Sequence, residues 1–211
     1  MDNQKTYAEE IMQKIKEAKQ AEKQDIYQIE NDIHNGFIVV KYKKLDIEEK
    51  ELMGGAITML MPAEFEIMEE ALAEIKYPGA GKPEYIYTNE ETTVNLTFTL
   101  DDSGTLANEE VEEVKNILSR QMQRLYPGSD IEDSQTIQAG EKNIGYFSFD
   151  LPLIDGNLYN LMFFMELKGR LLMGTFNCSI YQKKQWKPII RQMLMTIRET
   201  RPPEVKSPES R

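Results

Sequence analysis

The chain has 211 residues, 25 Lys plus Arg against 36 Asp plus Glu, a formal net charge of −11 and one cysteine. That length suits one ordinary domain with an appendage, the acidity repels nucleic-acid backbone and anionic membrane, and a lone cysteine excludes an internal disulfide framework. The acidic opening "MDNQKTYAEE" lacks the basic start and apolar stretch of a secretory signal, and no apolar run reaches membrane-span length, so the cytoplasm is the expected location.

From Gln4 to Lys23 the spacing of Tyr7, Ile11, Ile15 and Ala18 predicts a charged helix with a narrow apolar stripe. That stripe suits docking on the main domain or on another helix. His34-Asn35-Gly36 reads as a break, Phe37 to Tyr42 as a strand, and "LDIEEKEL" as an acidic connector. A strand at Ile57 to Met61 is ended by Pro62, and a short helix is expected from Glu66 to Ile75. In "TTVNLTFTL", Val94, Leu96, Phe98 and Leu100 alternate with Thr93, Asn95, Thr97 and Thr99, which predicts a half-buried strand with one polar face.

Asn108 is placed to cap a long helix carrying Val111, Val114, Leu118, Met122 and Leu125, and Pro127-Gly128 ends it. Strands are expected at Ile131–Gln138, Asn143–Leu151, Asn157–Leu167 and Arg170–Ile180, with tight turns at Asp155-Gly156 and Lys168-Gly169. "LYNLMFFMEL" is apolar on both faces, as a central strand covered on both sides must be. The last helix carries Trp186, Ile189, Ile190, Met193, Leu194 and Ile197, with Pro188 expected in its first turn. The tail "RPPEVKSPESR" reads as disordered. Strands joined by short turns pair antiparallel, and the helices must cover them. The expected organisation is a helical extension over 1–35, an α+β domain over 36–200 with an antiparallel sheet sandwiched by helices, and a tail over 201–211.

Little of the sequence looks like chemistry. "KYPGAGKPEYIY" contains Gly-Ala-Gly-Lys, but a phosphate loop closing on Gly81-Lys82 would need glycine where Lys76 stands and a hydroxyl where Pro83 stands, so it reads as a turn. "TLDDSGTLANEE" has Thr99 where a calcium loop needs its leading carboxylate, and reads as a turn and helix start. His34 is the only histidine and has no partner that the sequence can place, while Cys178 shares a strand face with Phe176 and Ile180 and reads as a buried, inert thiol. No catalytic residue, metal site or cofactor is therefore expected. Met162, Met165, Met173, Met193 and Met195 lie in apolar patterns and read as core filling. Tyr77, Tyr85 and Tyr87 are the interface candidates, since exposed tyrosines anchor contacts; the opposing reading has their rings covering the sheet with only the hydroxyls wet.

The stretch "LMGGAITMLMPAEF" resembles the opening of the Ran-binding Mog proteins, and "GTFNCSIYQKKQWKPIIRQMLMTI" resembles the last strand and tryptophan-bearing helix of Mog/PsbP-like domains. The resemblance spans Gly54 to Arg198 and implies an antiparallel sheet sandwiched by helices. It also implies a non-enzymatic role, because that superfamily comprises binding and assembly proteins. After Phe65 the chain has "EIMEEALAEIKYP" in place of the acidic block with which the Mog proteins meet Ran, and no export signal is present, so no functional residue carries over. The expectation is a bacterial cytoplasmic relative acting as a protein-binding, adaptor or chaperone-like domain. Two other readings stay open: a small-ligand binder or enzyme with a site between sheet and helix, and a homodimer joined through a sheet edge or the Thr face of Val94–Leu100.

Overall fold

The computed structural model describes residues 30–153 and 156–200. The predicted helix Gln4–Lys23, the tail from Arg201 and Asp155 of the predicted turn lie outside the described residues. Within them the strands are β1 (Phe37–Val40), β2 (Lys43–Leu52), β3 (Ile57–Pro62), β4 (Glu66–Ile67), β5 (Tyr85–Thr88), β6 (Val94–Asp101), β7 (Glu132–Ala139), β8 (Lys142–Leu153), β9 (Gly156–Leu167), β10 (Arg170–Ser179) and β11 (Arg198–Glu199). The helices are α1 (Glu70–Lys76), α2 (Val111–Leu125) and α3 (Lys183–Met195).

There are two antiparallel sheets instead of the one expected. A seven-stranded sheet runs β4-β5-β6-β10-β9-β8-β7, and a four-stranded sheet runs β1-β2-β3-β11. The second sheet exists because "LDIEEKEL" is not a connector: it is most of β2, paired with β1 on one side and β3 on the other. Its acids Asp46, Glu48, Glu49 and Glu51 are exposed, while Leu45 and Leu52 are buried. Those two leucines have opposite parity, so a strand this long and twisted shows no clean alternation.

The large sheet is covered on both faces, and this decides where everything else sits. On one face Leu96, Phe98, Leu161, Phe163 and Phe176 meet the small sheet and the α3 residues Trp186, Ile189, Ile190, Met193 and Leu194 in the main core. On the other, Leu118 and Met122 of α2 pack on Phe147, Phe149 and Phe164, and α1 packs through Leu72 and Ala73 on Met68 and Ile86. β9 feeds both cores, as its two apolar faces predict. Gly174 of β10 stands opposite both Phe98 and Phe163, whose rings meet edge-on at 5.7 Å.

Several local expectations are corrected. Glu66–Ile67 is a short strand paired with β5, so the helix after Phe65 starts at Glu70. Asn108 does not cap α2: its amide ties to β8, accepting from the Asn143 N–H at 2.8 Å, while Asn108–Glu110 forms a 3-10 turn. Pro188 lies inside α3, beyond its first turn, because the helix already starts at Lys183. Leu125 and Met195 are exposed, not core. The face of β6 read as solvated is largely buried, with Asn95 and Thr97 covered. At the edge of the small sheet, the Asn31 carboxamide donates to the Val39 carbonyl at 3.0 Å and accepts from the Val39 N–H at 2.7 Å. It occupies the Val39 main-chain groups that an added strand would otherwise use.

α3 is clamped to the edge strand β7 by charge. β7 bulges between Glu132 and Gln135, and Asp133 takes a left-handed φ of 49° there. Its carboxylate meets Lys187 at 2.5 Å and Arg191 at 3.0 Å, while Lys183 reaches Glu132 at 3.1 Å and Asp150 at 2.7 Å. Burial pushes the Glu132 and Asp133 carboxyls up, but the hydrogen bonds and charge of these lysines and of Arg191 outweigh it and hold both below the usual carboxylate range. Depressed folded values mean that this stabilisation is complete above the unfolded pKa of about 4 and is lost as pH falls through the folded ones. Asp133→Asn, which tolerates left-handed backbone, is expected to cost about 1 kcal/mol at neutral pH. Urea midpoints should show that deficit vanishing near pH 2; an equal deficit at both pH values contradicts the account.

Candidate functional site

The groups that sequence reasoning weighed for chemistry are placed as structure. Cys178 is fully buried in the main core, and burial pushes its thiol up to about 12, so no thiolate nucleophile is present near neutral pH. His34 lies exposed in a 3-10 turn. Gly79 to Lys82 is a turn whose lysine pairs with Glu70, and Asp101 accepts from the Ser103 N–H at 2.8 Å. Among the described residues no cluster of three or more His, Cys, Asp or Glu is arranged to hold a metal, and no helix is long and apolar enough to cross a membrane.

The three tyrosine candidates separate. Tyr87 is a core residue and not a surface anchor: its ring meets Phe98 edge-on, and its hydroxyl accepts from the Met53 N–H at 3.0 Å. Tyr85, on the same side of β5, is half-buried against the main core. Tyr77 follows α1 and packs with Leu72 near Ile86 on the opposite face. Of the three it alone lines a groove, about 490 Å³ in volume, together with Lys76, Thr93, Asn95, Leu158 and Asn177.

The groove lies on the outer face of the large sheet, and Asn95 and Asn177 on its floor belong to a row of polar side chains inside an apolar sheet. Thr88, Asn95, Asn177 and Asn160 stand directly opposite one another across β5, β6, β10 and β9, and all four are buried. The Thr88 hydroxyl donates to the Asn95 carbonyl oxygen at 2.8 Å, the Asn95 amide donates to Asn177 at 2.9 Å, and the Asn177 amide reaches the Tyr77 hydroxyl at 3.4 Å. Buried carboxamides are costly unless paired; Asn95 and Asn177 pair within the row, and the Asn160 amide donates to the Leu158 carbonyl at 3.2 Å. The sequence signal for it was an asparagine set into each of three apolar runs, in "VNLTF", "LYNLM" and "FNCSI".

The strand ends around the groove gather several loops. The β5–β6 loop is held by Asn89, whose side-chain oxygen accepts from the Thr93 and Val94 N–H groups at 2.9 Å each. It is tied to the β1–β2 turn by Lys41–Glu91 at 3.6 Å and Lys43–Glu90 at 2.7 Å. At the rim, Leu153 of β8 is 52% exposed, and Tyr181, in the turn leading into α3, is 91% exposed. Tyr181 is held on a 3-10 turn with its ring almost wholly in water, and it shares the groove rim with the exposed Leu153.

No protein-family model matches the chain, and no curated protein sequence matches it. Among solved structures it is similar to cyanobacterial PsbP (CyanoP) from Synechocystis sp. PCC 6803, with a TM-score of 0.52 at 10% identity, covering 73% of this chain and 92% of that one. It is also similar to the Ran-binding protein Mog1p of Saccharomyces cerevisiae, with a TM-score of 0.48 at 15% identity, covering 74% of this chain and 96% of that one. LpqN of Mycobacterium tuberculosis, described as involved in cell envelope biogenesis, gives a TM-score of 0.43 at 8% identity, covering 74% of this chain and 92% of that one. The chain therefore has the Mog1p/PsbP-like α+β fold, as the two sequence motifs imply.

Proposed function

We propose that the chain is a non-enzymatic protein-binding module of adaptor or chaperone-like type, acting in the cytoplasm, and that its docking surface is the end of the large sheet around the groove. The observation that carries this reading is Tyr181, 91% exposed at the rim beside Leu153. Tyrosine is enriched among the few residues that dominate interface energy. The buried Cys178 thiol weighs on the same side, since it supplies no nucleophile. A second reading, a small-ligand binder, draws on the groove itself, whose volume of about 490 Å³ suits a compact ligand.

The test is capture from an extract of native cells by the intact chain and by Tyr181→Glu and Leu153→Glu. Both positions are exposed enough that stability should change by no more than about 0.5 kcal/mol, which thermal unfolding verifies. Each variant is expected to lose most of a discrete polypeptide that the unaltered chain retains. Undiminished capture by both would remove the docking surface from this end.

A further inference from the structure

The row on the groove floor has a direction. Thr88 donates to Asn95, Asn95 to Asn177 and Asn177 to the hydroxyl of Tyr77. Each step polarises the next, so a chain of this kind strengthens the donor at its end. That end is the Tyr77 O–H, whose own proton has no acceptor among the described residues. Burial raises the Tyr77 pKa, which keeps the proton in place.

Lys76, the neighbouring wall residue, gives one hydrogen bond to the Thr92 carbonyl and faces no carboxylate among the described residues. An ammonium has three donors, so two remain. Elsewhere in a chain with 36 acidic against 25 basic residues, Lys43, Lys50, Lys142 and Lys183 are each paired to two acids. Burial lowers the Lys76 pKa, and an anion beside it would relieve that penalty. Two donors without acid partners thus line a groove that Leu153, Leu158 and Tyr181 make apolar. The polar lining also includes Thr93 and Asn157, whose side chains can donate to and accept from peptide groups. Asn31 demonstrates the pairing within this molecule, holding both main-chain groups of Val39 with one carboxamide.

We propose that the groove captures the carboxyl terminus of a partner polypeptide ending in an apolar residue. The carboxylate sits between the Tyr77 hydroxyl and the Lys76 ammonium, the last side chain lies against Leu153, Leu158 and Tyr181, and the preceding main chain meets Asn157 and Thr93. This inference rests on the reading of this end as a docking surface and adds what is recognised there.

The test is an NMR titration of the full chain with the hexapeptide Gly-Ser-Gly-Ser-Ala-Leu as free acid, with its C-terminal amide, and with N-acetyl-leucine. The free acid is expected to shift resonances of Lys76, Asn95 and Asn177 and to bind about tenfold more tightly than the amide, the loss of one charge-assisted contact. Tyr77→Phe and the surface change Lys76→Met should each weaken the acid by about tenfold and the amide by distinctly less. Equal binding of acid and amide, shifts mapping elsewhere, or no binding would overturn the proposal. N-acetyl-leucine binding as tightly as the hexapeptide would also overturn it, by assigning the groove to a free organic acid. Any of these results alongside loss of capture by Tyr181→Glu would sink this inference alone and leave the docking surface standing.

Discussion

Gly174→Ala is expected to cost about 3 kcal/mol or more, at the upper end of what overpacking does in a close-packed core. A Cβ built at Gly174 would lie 1.9 Å from Cζ of Phe163 and 2.4 Å from both neighbouring ring carbons. The ring has nowhere to retreat, because Phe98 closes on it from the adjacent strand at 78°. The backbone of β10 cannot shift either, since it is hydrogen-bonded to β6 on one side and β9 on the other. Urea unfolding should show a lower midpoint. In a Phe163→Leu background the same change should cost much less, a coupling that additive effects would not give. Equal costs in the two backgrounds would refute the steric account.

Trp186→Ala carries the second large effect, a loss of about 4 kcal/mol. Trp186 is fully buried at the start of α3, and its ring centroid lies 5.7 Å from those of both Phe65 and Phe176. It joins the segment after β3 to the large sheet, so its removal opens a cavity that the two-sheet packing cannot collapse. Trp186→Phe should lose far less, about 1 kcal/mol, because it keeps an aromatic ring in place and deletes an indole N–H that has no acceptor among the described residues. Unfolding of the two variants side by side checks the ordering. A Phe variant as unstable as the Ala variant would mean that the indole N–H, not the ring, secures the site.

Elements whose sequence periodicity matched their final environment were readable. β9 shows apolar residues on both faces because both faces are covered, and α3 shows a broad apolar stripe because only one side meets the core. The turn Lys168-Gly169 was visible because both residues take positive φ, at 53° and 79°, the conformation a tight hairpin requires. The Gly-Gly of the family-like motif has the same cause, with Gly54 and Gly55 at 67° and 84° in the turn between β2 and β3.

The misread segments are those whose environment is set by partners far away in sequence. β2 looked like a connector because its acids face water and its two buried leucines have opposite parity, so the small sheet was missed with it. Thr and Asn on β6 looked solvated because polarity usually marks the wet face; here Asn95 is satisfied by Thr88 and Asn177, the latter 82 residues away. The groove inherits this limit. Tyr77 was singled out as an aromatic, but the hydrogen-bonded row that ends on it exists only once β5, β6 and β10 are in register, and the exposure of Tyr181 follows from a 3-10 turn that no periodicity announced.

The central claim is that partners meet the end of the large sheet carrying the groove, and amide hydrogen exchange on the retained complex reads it most directly. The account expects new protection in the β5–β6 loop at Asn89–Val94 and around Asn177–Gln182, with no change at the far strand ends, at Gly140–Lys142 and Lys168–Gly169. Protection confined to those far turns, with the groove end exchanging as freely as in the isolated chain, would contradict it.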